Sequence, residues 1–141
     1  MMEFKQACVK EVVDKLLVLE ENKRKCLFLN PNRHPLMKIV VDGCQIVEGA
    51  KCDYLVIDHC GNEYFVELKG KDLPHAIEQL EKSIRQLSDM RDNAGKKKYA
   101  FIVASRHPAN DTSIQRAKVV FKKKYNVELI SKNVLLEISI K

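Results

Sequence analysis

The chain has 141 residues, 45% of them hydrophobic and 31% charged, a composition that fits a single domain over residues 1–141. The formal net charge of +6 favours a polyanionic partner without establishing one, and an aromatic content of 6% argues against a stacking platform for single strands. No apolar run is long enough for a bilayer, and charges punctuate positions 1–21, so neither a membrane span nor a signal peptide is expected. Five cysteines, odd in number and without Cys-x-x-Cys, point to reduced thiols and a cytoplasmic protein. Cys52, His59 and Cys60 lack the usual spacing of a structural zinc site.

Residues 3–20 read as an amphipathic helix, with Cys8, Val9, Val12, Val13, Leu16 and Leu19 on its apolar face. Residues 22–25 end it, and residues 26–29 form a short strand. The turn-rich stretch 30–35 is a loop. Residues 37–41 are β-branched and apolar, hence a strand, and Asp42-Gly43 suits a turn or bulge after it. Residues 52–57 and 63–69 read as a hairpin joined around Cys60-Gly61-Asn62. Asp72 can cap a helix with Pro74 in its first turn. That helix runs to about Arg91, burying Ile77, Leu80, Ile84 and Leu87, and Asn93-Ala94-Gly95 stops it. Residues 99–104 form a continuous apolar run typical of a central strand. Asp111 or Thr112 can cap a last helix to about Lys124, and residues 127–130 and 134–140 are closing strands. The order αβββαβαββ implies an α/β domain with one mixed sheet flanked by helices.

Chemistry concentrates in the hairpin. Side chains alternate along a strand, so Glu67 and Lys69 share a face with Leu68 on the other, and Asp53 can approach from the neighbouring strand. The simplest account is a polar hairpin end with a cross-strand ion pair. Against it, Tyr64, Phe65, Val66 and Leu68 read as buried, so the charges stand where a core strand emerges. Two carboxylates there can hold a hard divalent cation.

The pattern Asp53…Glu67-Leu68-Lys69, in a context of two apolar strands, a helix and another apolar strand, resembles the PD-(D/E)XK phosphodiesterase superfamily and its restriction-endonuclease-like fold. Cys52 stands where that family usually has Pro. The resemblance implies a metal-dependent nuclease acting on DNA. In it, Asp53, Glu67 and the Leu68 backbone carbonyl would hold Mg²⁺ or Mn²⁺, and Lys69 would position the attacking water. It also implies a carboxylate from the first helix, for which Glu11 is the candidate over Glu20, and a positioning Gln on the following helix, Gln79. The branch with Gln-x-x-x-Tyr is not matched, because position 83 is Ser.

Lys71 and Arg106 follow strands that should end near this site and suit phosphate contacts; His75, near a helix N-terminus, is a further candidate. The basic runs 96–98 and 122–124 read first as solvated faces. Other functions remain open: a non-catalytic nucleic-acid-binding or regulatory subunit of a larger complex, or an RNA hydrolase. A homodimer is a further possibility.

Overall fold

A computed structural model describes residues 4–49, 51–68, 72–87, 96–105 and 112–141. After a short 3-10 turn, Gln6–Cys8, come six strands: β1 (Val9–Val12), β2 (Leu16–Glu21), β3 (Arg24–Leu29), β4 (Leu36–Val40), β5 (Tyr54–Ile57) and β6 (Glu63–Glu67). Helix α1 (Leu73–Leu87), strand β7 (Lys98–Ala104), helix α2 (Thr112–Tyr125) and strands β8 (Val127–Asn133) and β9 (Leu135–Ser139) complete the order.

The α/β class holds, with a mixed sheet and two helices. The N-terminal helix expected over residues 3–20 does not: residues 9–12 and 16–21 form β1 and β2 instead, which replaces the expected order αβββαβαββ. The physical reason lies in the burial of β2. Leu17 and Leu19 point inward while Leu16, Val18 and Glu20 are exposed, a period of two. Asn22 and Lys23 adopt φ values of 50° and 69° and close a two-residue turn into β3, paired Glu21↔Arg24.

Six strands form one sheet in the order β1-β4-β5-β6-β7-β8, and β2-β3-β9 form a second. Strands β1, β4, β5 and β6 pair antiparallel, whereas β6, β7 and β8 run parallel. The two parallel pairings need crossovers, and α1 and α2 lie in them. Both helices bury their apolar stripes on one face of the large sheet, against Leu55, Phe65, Ala100 and Ile102. The small sheet covers the other face, packing Leu19, Cys26 and Phe28 toward Val56, Val66, Leu68 and Phe101. Strand β7 is thus buried on both sides, which explains its unbroken apolar run. Asp72 does cap α1: its Oδ1 accepts from the His75 amide at 3.1 Å. Among the described residues no helix is long and apolar enough to cross a membrane.

Cysteine usage departs from the expectation of five reduced thiols. Cys8 and Cys44 are joined by a disulfide, tying the start of β1 to the turn after β4. Two cysteines 36 positions apart carry no spacing signal; strand pairing brings them together. Cys26 and Cys52 are buried free thiols, and Cys60 is exposed. Burial pushes the Cys26 thiol up from 9.0 to about 12. Alkylation of the native protein without reductant should therefore modify Cys60 alone. Denaturation should expose three thiols, and denaturation with reductant all five. Mass spectrometry counts the adducts, and five adducts without reductant would rule out the disulfide. Since the folded Cys26 pKa lies above its unfolded value, its contribution to stability is complete below about pH 9 and is lost as pH rises toward 12.

The link between β8 and β9 is strained. Val134 adopts φ 69°, a conformation that β-branched residues avoid, while its side chain is 51% exposed. Its amide donates to Ala104 O and its carbonyl accepts from the Lys25 amide, both at 2.8 Å. Val134→Asn should relieve the strain with little loss of packing and stabilise the fold by about 1 kcal/mol in urea denaturation. A destabilised variant would contradict this.

Candidate active site

Strands β5 and β6 pair Tyr54↔Val66 and Leu55↔Phe65, so the chain just before β5 lies across from the end of β6. There the backbone is irregular. The amides of Val41 and Asp42 both donate to Asp53 O, at 3.0 and 3.4 Å, the signature of a local bulge. The Asp53 amide donates to Val66 O at 3.1 Å. Its side chain reaches forward, and Oδ2 accepts from the Leu68 amide at 2.7 Å. Asp53 is 5% exposed and Glu67 fully buried.

Beside them stands Cys52, whose amide donates to Ser83 Oγ of α1 at 2.7 Å. Its thiol pKa is pushed far up, first by burial and then by the carboxylates of Glu67 and Asp53. One thiol thus feels both acids. Asp53, Glu67 and Leu68 are brought together at the C-terminal end of β6, where the neighbouring β7 residue is Ile102. Gln79 is buried on α1, one turn before Ser83.

The other candidates fall differently. Glu11 is exposed on β1, not on a helix, and pairs with Met37, which pairs with Ile57, which pairs with Glu63. It is level with the far end of β6 and three strand spacings away, about 14 Å across the sheet. Glu11 is therefore no part of this site. His75 is exposed in the first turn of α1. Cys52 stands at the start of β5, whereas His59 and Cys60 are exposed in the turn after it. Lys69, Lys71 and Arg106 lie outside the described residues.

One residue escaped sequence reasoning. Arg24, 9% exposed, opens β3 and sends its guanidinium across to the large sheet. Nε donates to the Leu68 carbonyl and Nη1 to Ser105 Oγ. Both backbone groups of Leu68 are consequently engaged, its N–H by Asp53 and its C=O by Arg24. An arginine beginning a strand carries no signal of a contact 44 positions away.

These residues fit a divalent cation in part. Asp53 and Glu67 are hard oxygen donors at one strand end. The Leu68 carbonyl, the third expected ligand, instead faces a guanidinium, and a dication there would meet its positive charge. Among the described residues no group of three or more His, Cys, Asp or Glu side chains is placed to hold a metal ion. Comparison with family models, curated proteins and solved structures finds no match for this chain.

The Arg24 clamp has a measurable weight. Arg24→Met keeps the apolar stem but removes both hydrogen bonds, and should cost about 2 kcal/mol in urea denaturation. Arg24→Lys should recover little, since a single ammonium nitrogen lacks the spaced Nε and Nη1 donors that reach two separate acceptors. Unchanged stability in Arg24→Met would show that the clamp contributes nothing.

Proposed function

We propose that the chain is a metal-dependent nuclease that hydrolyses phosphodiester bonds, with DNA as substrate. The observation that carries this reading is the meeting of two buried carboxylates, Asp53 and Glu67, at the end of β6, with Lys69 two positions after Glu67. Further support comes from the antiparallel run β4-β5-β6 followed by α1 and parallel β7, the context in which the resemblance to the PD-(D/E)XK superfamily expects its motif. Asp53 is oriented by the Leu68 amide, which donates to its Oδ2. Burial of Glu67 strengthens any charge interaction it makes. Mg²⁺ or Mn²⁺ held by this pair would offset negative charge on the scissile phosphate. Lys69 is assigned to positioning the attacking water, and Gln79 to supporting the site from α1. Lys71 and Arg106 are assigned to backbone phosphates, which makes binding salt-sensitive.

A second reading is a nucleic-acid-binding subunit without turnover. What favours it is Arg24, whose guanidinium takes the carbonyl that the resemblance gives to the metal.

One panel separates the two: supercoiled, linear, branched and single-stranded DNA, and RNA, with Mg²⁺ or Mn²⁺ and with EDTA. Cleavage should require the metal. Lys69→Ala should retain nucleic-acid binding and Mn²⁺ binding by calorimetry while losing about 100-fold or more in rate. Glu67→Gln should weaken Mn²⁺ itself. Unaltered cleavage by Lys69→Ala or in EDTA rejects the mechanism. Salt-sensitive binding without cleavage of any substrate favours the second reading.

A further inference from the structure

The end of the sheet opposite Asp53 and Glu67 carries a different feature. Lys98 opens β7, whereas Glu67 is level with Ile102, so the two ends stand about 13 Å apart along the strands. At the Lys98 end is a cleft of about 390 Å³. Four lysines line it, Lys96, Lys97 and Lys98 from the approach to β7 and Lys122 from the last turn of α2. Among the described lining residues, Glu128 is the one acid.

We propose that this cleft binds a compact oligophosphate, either inorganic or carried by a nucleotide. Four lysines lining one concavity give it a positive potential that favours an anion inside it. A run of lysines on a loose tail would spread that potential out, but this segment is held. The Lys97 amide donates to Asn62 Oδ1 at 3.0 Å, and the Lys97 carbonyl accepts from the Glu63 amide at 3.0 Å. The stem of Lys96 lies over Gly61; a Cβ there would stand 3.5 Å from Lys96 Cε, an ordinary contact. Gly61 has φ 87°, a conformation that suits glycine. The Tyr99 ring in the lining is stacked on Tyr64 with centroids 5.2 Å apart. The backbone beneath the lysines is therefore arranged before any ligand arrives, which lowers the cost of binding.

Size selects the ligand. The volume is within the range of small-molecule sites, of the order of one nucleotide, and far below that of a nucleic-acid duplex. Four lysines against Glu128 in the lining, with Glu63 beside Lys98, leave a net positive cleft, which suits a polyphosphate better than a monophosphate. Lysine is a point-charge donor that follows a flexible chain of phosphates without demanding one planar orientation.

Calorimetry at low salt, without divalent metal, tests this with inorganic tripolyphosphate, ATP and AMP. One saturable site for tripolyphosphate and ATP is expected, with AMP at least tenfold weaker. Equal affinity for tripolyphosphate and ATP assigns the site to the phosphates alone; tighter ATP adds the nucleoside, and either result supports the proposal. Lys97→Glu and Lys122→Glu should each weaken binding at least tenfold, and Glu128→Gln should tighten it at least twofold. Lys118→Glu, an equal charge change on α2 outside the lining, should leave it within twofold, and Glu67→Gln should not affect it. Absence of saturable tripolyphosphate binding would overturn the proposal. So would equal losses in Lys118→Glu and Lys122→Glu, or binding confined to duplex oligonucleotides.

Discussion

One guanidinium fastens the small sheet to the end of the large one. Arg24 begins β3, yet its donors are spent on the ends of β6 and β7, through Leu68 O and Ser105 Oγ. A nearly buried arginine is costly unless its donors are satisfied, and here two of them are met by fixed acceptors. The neighbouring backbone continues the seam, because the Lys25 amide meets Val134 O and the Val134 amide meets Ala104 O. The unusual φ of Val134 follows from this seam: the chain must leave the parallel sheet after β8 and join β3 within one residue. Anything built at the end of β6 rests on the same contacts. The two peptide planes that meet at Leu68 cannot turn without giving up Asp53 at the N–H or Arg24 at the C=O.

Local patterns spoke clearly wherever burial was one-sided or complete. The hairpin β5–β6, the Asp72 cap, the stripe of α1 and the apolar run of β7 all follow from residues close together in sequence. The first twenty residues misled because their apolar positions satisfy two periods at once. Leu16 and Leu19 fit a helical face, but Leu17 and Leu19 fit a strand face, and packing against Cys26 and Phe28 decides between them. Asn22-Lys23 was the available clue, a polar pair able to adopt the left-handed conformation that a two-residue hairpin needs. The approach of Asp53 to the end of β6 was legible because a short hairpin joins their strands. Arg24 and the Cys8–Cys44 bond were not, because they depend on which strands become neighbours across the two sheets.

Strand β6 shows why burial alone does not identify a functional carboxylate. Glu63 and Glu67 are both fully buried, and Phe65 stands between them. Their company separates them. Glu63 lies beside Lys98 on the parallel neighbour, and its amide donates to Lys97 O. Glu67 lies beside Ile102, with Asp53 across the hairpin and the Cys52 thiol feeling both acids. A second acid in a dry strand end raises the cost of keeping both charged. A fold selected only for stability gains nothing from that pairing, whereas a site that must attract a cation does. Arg24 sharpens the question, since a guanidinium one peptide unit away already supplies positive charge. The same arrangement is a cation site with a built-in competitor, or a structural clamp that needs no further cation. Which of the two it is depends on the difference in free energy between two cations at one strand end.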